Sequence, residues 1–322
     1  MSTPTPADGQ LEVRVRQCEE LASGVRRLTF ERTDGSDFPA WEPGSHVDVV
    51  MPDHVRQYSI CSSPRQRRQL QVSVLHVSDS RGGSAWVHEQ LREGQVLRIS
   101  APRNNFVFQD SRKYLFIAGG IGITPIIPMI ERAEELGREW TLVYAGRSRS
   151  TMAFLPELEE HHPDRVKAYP AHETGRVNLA DHLAMPRAKM LIYACGPTRM
   201  VEEIEDWARG WPPGVLHTER FQAASLDAGA SMEAFEVELA RSGRTVEVAT
   251  DQTVLEALEE SGTRILSSCR AGVCGTCETE VLSGEVDHRD VVLSPAEQEA
   301  SQTMMVCVSR AANGCHRLRL NL

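Results

Sequence analysis

Between residues 10 and 107 apolar and polar positions exchange every second residue through six short runs: LEVRVRQCEE, VRRLTFERT, SHVDVVMP, RQYSICSSP, QLQVSVLHV and QVLRISAP. A period of two is that of a strand with one buried face. Only SAWVHEQL reads as helix, so the pattern predicts a small antiparallel β-barrel.

From 113 the period changes. KYLFIAGGIGITPIIPMIERAEELG (113–137) is an unbroken apolar run, a glycine turn and an amphipathic stretch. That is a buried strand, a turn and a helix, with Pro125 suited to the first helical turn. WTLVYAGRSRS adds a second strand with a polar loop. MLIYACGPTRMVEEIEDWA adds a third strand, a Cys-Gly-Pro turn and another helix. Strand–helix alternation over 113–221 predicts a parallel sheet with ligands at the strand C-terminal ends.

QAASLDAGASM (222–232) is small and polar, the composition of a mobile tether. Beyond it, EAFEVELARSGRTVEVA alternates like a hairpin turning at Ser242-Gly243. DQTVLEALEESG reads as a short helix ending at Gly262, and CETEVLSGEVD and HRLRLNL read as strands.

A length of 322 residues suggests two or three domains, and 41% hydrophobic residues is enough for real cores. No run of 18 apolar residues occurs, which predicts no membrane span. The opening MSTPTPADGQ has neither a basic n-region nor an apolar h-region, which makes a cytoplasmic location the expectation. The net charge of −10 argues against nucleic acid as a partner. Residues 233–322 hold 15 Asp and Glu against 8 Lys and Arg, a balance of −7. This is a solvated surface or a field that steers toward a basic partner.

Five of the eight cysteines lie in the last 54 residues, which in a reducing compartment favours a metal over disulfides. Cys269, Cys274 and Cys277 give C-x4-C-x2-C, and Cys307 follows after 29 residues. This is the plant-type spacing for a [2Fe–2S] cluster. Ala271, Gly272, Gly275 and Thr276 are small enough for the backbone to close round it and donate N–H bonds to sulfur. Structural zinc is the competing metal, but it usually shows paired C-x2-C knuckles and only one pair exists. Cys315 reads as a bystander.

Gly119, Gly120 and Gly122 permit close backbone approach to a ligand before a helix N-terminus, although G-x-G-x-x-G is not matched. Cys195, with Gly196 and Pro197, ends the third strand: a core cysteine or a pocket position. In the barrel, Arg56-Gln57-Tyr58-Ser59 sets an aromatic and a hydroxyl beside a cation. Arg81-Gly82-Gly83-Ser84 is a usable phosphate cradle. Either alone also fits a turn with a surface arginine.

Taken in order, RQYS, RGGS, GGIGITP, CGP, ERF and the four cysteines resemble the phthalate dioxygenase reductase family, within the ferredoxin–NADP reductase superfamily. The resemblance covers roughly 10–322. It implies a multidomain fold: an antiparallel flavin-binding β-barrel (10–108), an α/β parallel-sheet nicotinamide-binding domain (109–224), a linker (225–232) and an α+β β-grasp ferredoxin domain (233–322). It implies that Arg56, Gln57, Tyr58 and Ser59 line the flavin and that Gly82, Gly83 and Ser84 hold its phosphate, with Arg81 adding charge. Gly119, Gly120, Ile121, Gly122, Ile123 and Thr124 would bind the dinucleotide, with Thr124 near the flavin ring. Cys195, Gly196 and Pro197 would sit by the nicotinamide, and Phe221 would stack on or beside the flavin. The catalytic positions expected are Thr124, Cys195 and Phe221, and the expected iron ligands are Cys269, Cys274, Cys277 and Cys307.

The layout implies FMN, with FAD left open. Arg147 and Arg149 in GRSRS could meet a 2′-phosphate and favour NADPH, yet relatives with arginine here often use NADH, which is the expectation. A nicotinamide gives electrons in pairs and a cluster takes them singly, so a flavin must stand between. The expected acceptor is the terminal component of a two-component oxygenase, a Rieske non-haem iron oxygenase first. The alternatives are a haem monooxygenase, or a scaffold carrying structural zinc. The His288-Arg289-Asp290 triplet has no role in this scheme and reads equally as a structural hydrogen-bond and ion-pair site.

Overall fold

The computed structural model describes residues 10–52, 55–77, 82–183, 189–221 and 233–322. Arg81, the linker at 225–232 and the tether read at 222–232 lie outside the described residues. The chain divides into two compact units, Met1–Phe221 and Gln222–Leu322.

The first unit opens with strands β1 (Gln10–Ala22), β2 (Val25–Arg32), β3 (Ser45–Val50), β4 (Val55–Ser59) and β5 (Leu70–Leu75). Helix α1 (Gly83–Glu89), β6 (Val96–Ser100) and β7 (Arg103–Asn104) follow. The strands pair antiparallel in the order β4-β3-β6-β1-β2-β5, with β7 beside β3. An Ile60–Val72 bridge turns the two ends of this path toward each other, as a barrel requires. The period-two reading holds: Val13, Val15, Val47, Val49 and Val72 are buried together with Phe30 and Ile99.

Strands β8 (Lys113–Gly119), β9 (Glu139–Gly146), β10 (Val166–Pro170), β11 (Met190–Cys195) and β12 (Leu216–Glu219) form the second sheet. All pair parallel, in the order β10-β9-β8-β11-β12. Helices α2 (Ile126–Glu135), α3 (Leu155–His161), α4 (Ala171–Thr174), α5 (Ala180–Leu183) and α6 (Thr198–Ala208) connect them. Strand β8 is buried from its second residue on, as expected of a strand covered on both faces. Barrel residues Val25, Cys61 and Phe106 share an apolar cluster with Tyr114, Phe116 and Met129, so the two sheets of this unit have common core contacts.

The second unit holds β13 (Phe235–Leu239), β14 (Arg244–Val248), α7 (Val254–Glu260), β15 (Glu278–Ser283), β16 (Val286–Asp287), α8 (Pro295–Ala300), β17 (Thr303–Met305), β18 (Arg310–Ala311) and β19 (Arg317–Leu320). A mixed five-stranded sheet runs β14-β13-β19-β15-β17, and β16 pairs with β18 apart from it. Helix α7 starts where the sequence dictates: Thr253 caps it, accepting the Glu256 amide while Glu256 reaches back to the Thr253 amide. Val254, Leu255 and Leu258 pack on Val237, Val248 and Leu318. Each such leucine contributes about 2 kcal/mol by leaving water. The hairpin turn places Gly243 at φ +67°, and Gly262 follows α7 at φ +81°. No helix among the described residues is long and apolar enough to cross a membrane.

Candidate functional site

The parallel sheet reverses its winding at β8, the position where open α/β sheets bind ligands beyond their strand ends. A cavity of about 740 Å³ lies there, lined by Gly119, Gly120, Ile121, Pro197 and Met200. The glycines have divided duties. A Cβ on Gly122 would stand 2.2 Å from the Cys195 carbonyl oxygen, and one on Gly119 would stand 2.6 Å from Pro197 Cδ. These two serve the contact between the β8 and β11 loops. Gly120, at φ +54°, faces open space: a methyl group there would meet nothing within 4 Å. Ile123 is buried, and Thr124 turns its hydroxyl onto the Ile121 carbonyl at 3.0 Å.

Three arginines, Arg147, Arg176 and Arg199, line the same cavity. Arg149 does not. It donates to Glu159 at 2.7 Å and meets Glu173 at 3.4 Å, which pushes its pKa up.

Cys195 and Glu219 end adjacent parallel strands and are register partners. The buried thiol of Cys195 donates to Glu219 Oε2 at 3.9 Å, and Ser59 of the barrel bonds the same carboxyl. Burial pushes the Glu219 pKa up to about 8, against the pull of those two hydrogen bonds. The Cys195 thiol is pushed well up by burial and then by Glu219. This cysteine is therefore an un-ionised donor and not a nucleophile.

Around Ser59, Gln57 pairs with Asp48 across the β3–β4 ladder, and Tyr58 packs on the barrel core with its pKa raised by burial to about 12. Arg56 lies against the start of α1: a Cβ on Gly83 would stand 2.9 Å from Arg56 Cγ. Gly82 precedes it at φ +93°, and the Ser84 hydroxyl engages the Val77 backbone at 3.2 Å. Phe221, two residues past the end of β12, is 38% exposed.

In the second unit Cys269, Cys274, Cys277 and Cys307 are 8, 2, 3 and 4% exposed, and none is in a disulfide. The thiols pair: Cys274 with Cys269, and Cys277 with Cys307, which also reaches Cys269. Among the described residues no three His, Cys, Asp or Glu side chains converge as they would round one ion. A two-iron cluster asks instead for two thiolates at each iron. Arg270, Gly272 and Gly275 take φ of +52°, +68° and +72°, which curls the loop, and the Ala271 amide points at Cys269 Sγ from 3.3 Å. Buried, mutually paired thiols with amides aimed at them fit an iron–sulfur cluster. Cys315 bonds the Glu285 amide and stays outside the group.

Sequence reasoning missed Glu219, Arg176 and Arg199. Glu219 was inside the quoted ERF motif, but a glutamate beside an arginine reads as surface until β12 is seen to carry it next to Cys195.

Residues 237–312 match the 2Fe-2S iron-sulfur cluster binding domain, and residues 116–206 match the oxidoreductase NAD-binding domain. Phenoxybenzoate dioxygenase subunit beta from Ectopseudomonas oleovorans is 42% identical over 272 residues, 84% of each chain. A solved phthalate dioxygenase reductase, modular for electron transfer from pyridine nucleotides to [2Fe–2S], is 32% identical with a TM-score of 0.74 over 98% of both chains. An intact type IV self-sufficient cytochrome P450 monooxygenase is 40% identical with a TM-score of 0.89. It matches all of this chain, which spans 43% of the P450's length.

Proposed function

The chain belongs to the phthalate dioxygenase reductase family of NAD(P)H-dependent oxidoreductases with a [2Fe–2S] cluster, and on that premise we propose that it draws electrons from NADH through FMN and delivers them to the Rieske-type terminal component of an oxygenase. The observation that carries this reading is that one chain holds both four buried, mutually paired thiols in its second unit and, in its first, the Ser59–Cys195–Glu219 constellation and a dinucleotide-sized cavity. Held by these residues, a flavin would supply the chemistry that couples a two-electron donor to a one-electron carrier.

The chain's own residues bind and orient. Arg56 and the α1 turn at Gly82, Gly83 and Ser84 hold the flavin phosphate, with Arg81 adding charge, while Tyr58 and Phe221 bracket the ring. Gly120 to Thr124 and the Cys195-Gly196-Pro197 turn seat the nicotinamide. Glu219 holds a proton below about pH 8 and keeps it at hydrogen-bond reach of Ser59 and Cys195. Cys269, Cys274, Cys277 and Cys307 ligate the iron. Of the two arginines in GRSRS, Arg149 is neutralised by Glu159 and Glu173. That leaves Arg147 with Arg176 and Arg199 for the dinucleotide phosphates, and NADH as the donor. The domain limits of this reading are 10–108, 109–224 and 233–322.

Anaerobic titration with NADH tests it. Flavin and iron–sulfur absorption should bleach, the released flavin should have the mass of FMN, and Cys274→Ser should lose iron and sulfide while NADH-driven ferricyanide reduction persists. A Cys274→Ser protein with intact metal content refutes the ligand set. The similarity to a self-sufficient cytochrome P450 supports a second reading, with haem as acceptor. Reoxidation of the reduced protein by a Rieske component or by a P450 haem domain separates the two.

A further inference from the structure

Asp290 is the centre of the otherwise unexplained His288-Arg289-Asp290 triplet. Its side chain has no exposed surface, and that of His288 is 6% exposed. Both carboxylate oxygens are engaged. Oδ2 accepts the Val292 and Leu293 amides at 3.1 and 2.9 Å, and Oδ1 accepts the Ser309 hydroxyl at 3.3 Å. His288 Nδ1 stands 3.6 Å from Oδ1, while its Nε2 meets Ser301 Oγ at 3.1 Å. Burial opposes ionisation, but His288 and the two amides outweigh it and hold the carboxyl below the usual range. At neutral pH a full negative charge therefore sits inside the second unit.

That charge is tied to the cysteine loop. The amide of Val291, next in sequence, donates to the Gly272 carbonyl at 3.0 Å. The Gly272 amide in turn bonds Cys307 Sγ. Gly272 has no slack: at φ +68°, a Cβ there would lie 2.6 Å from Val308 Cγ2 and 3.1 Å from Asp290 Cα. From the other side Ser309, two residues beyond Cys307, accepts the Arg289 amide at 3.2 Å as well as donating to Asp290. One carboxylate thus anchors the 290–293 turn and the segment after Cys307, with Gly272 caught between them.

We propose that Asp290 is a positioning residue for the iron–sulfur centre: it fixes the Val291–Gly272–Cys307 hydrogen-bond relay, and its buried charge lowers the cluster's reduction potential. Amide bonds to sulfur stabilise the reduced, more negative cluster, and their geometry is set by what holds the amide. A fixed anion in the same low-dielectric interior opposes the arriving electron. The balance matters for a carrier that must pass its electron onward.

The inference rests on the four-cysteine ligand set proposed above, and the test separates the two. Full-length wild type, Asp290→Asn and Ser309→Ala are titrated anaerobically, with the cluster followed by EPR and the flavin by absorption, and iron and sulfide are counted in each. Asp290→Asn keeps the shape and removes the charge. The expected result is full iron, a cluster midpoint shifted positive and an unmoved flavin midpoint. Ser309→Ala removes a donor to the carboxylate and shifts the cluster midpoint negative. An Asp290→Asn protein with full iron and an unshifted or negatively shifted cluster overturns the proposal. Should Asp290→Asn fail to fold, Ser309→Ala decides: unchanged midpoint and EPR signature overturn it. Cys274→Ser retaining its cluster would instead refute the ligand set.

Discussion

Cys195 Sγ donates to Glu219 Oε2 across 3.9 Å between two register-paired strand ends, and the carboxyl it meets has a pKa of about 8. The pH consequence follows from where the proton is held. Below about pH 4.3, the ordinary glutamate value, native and unfolded chains both keep this proton and the group's contribution to stability is fully present. From there up to about 8 the unfolded chain releases a proton that the native state retains, so stability falls as pH rises. Above about 8 both are ionised and the loss levels off. Glu219→Gln removes the titration. Urea midpoints at pH 5 and pH 8 should therefore spread further in wild type than in Glu219→Gln. Equal spreads would show that Glu219 titrates normally.

Arg147 and Arg149 are two residues apart and differently placed. Arg147 lines the large cavity, whereas Arg149 is engaged by Glu159 and Glu173. Arg147→Ala should raise KM for NADH about tenfold, the loss of one charge-assisted phosphate contact of about 1.5 kcal/mol, with kcat little changed. Arg149→Ala should leave KM within about twofold, because an exposed ion pair is worth little. Steady-state kinetics with NADH and NADPH check both. An Arg149→Ala effect confined to NADPH would revive the 2′-phosphate role.

The barrel strands and the β-strand–helix pairs around 113–137 and 190–208 were legible because each carries its own periodicity and turn chemistry. The cysteine loop was legible because its spacing is set by the cluster it wraps. Strand β10, VKAYP, was not read, since five residues with one lysine carry too little pattern. Glu219 was given no role and Asp290 was read only within a structural hydrogen-bond and ion-pair triplet, because their partners are distant in sequence: Cys195 is 24 residues from Glu219 and Ser309 is 19 from Asp290. The glycines were read as making room for a ligand. Gly119 and Gly122 also make room for another loop, and only the fold brings that loop to them.

Gly122 and Gly120 give a contrast within one turn. A methyl on Gly122 would meet backbone at 2.2 and 2.7 Å, from Cys195 O and Gly196 N, and neither can rotate away. Gly122→Ala should lose about 3 kcal/mol by overpacking and widen the nicotinamide turn, raising KM. Gly120→Ala has space but a left-handed backbone, and should lose only about 1 kcal/mol. Thermal unfolding of both variants tests the order. If Gly120→Ala were the more damaged, the loop–loop contact would not be what selects glycine here.

Residues 233–322 carry 15 acidic against 8 basic residues. Part of the basic complement is already paired on its sheet, Arg317 with Glu236 at 2.5 Å and Arg319 with Glu238 at 3.0 Å. The field that unit projects is acidic, and a basic acceptor surface would be drawn to it. Exposed charges interact over a Debye length of about 30 Å at 0.01 M salt and about 8 Å at 0.15 M. Raising salt across that range should therefore slow second-order reduction of the acceptor by roughly tenfold. NADH-driven ferricyanide reduction, which needs no docked protein, serves as the control for salt effects on the first unit. The comparison that matters is the ratio of the two rates. If that ratio holds constant from about 0.01 to about 0.15 M, the acidic balance does not steer the partner, and its docking must rest on shape and apolar contact instead.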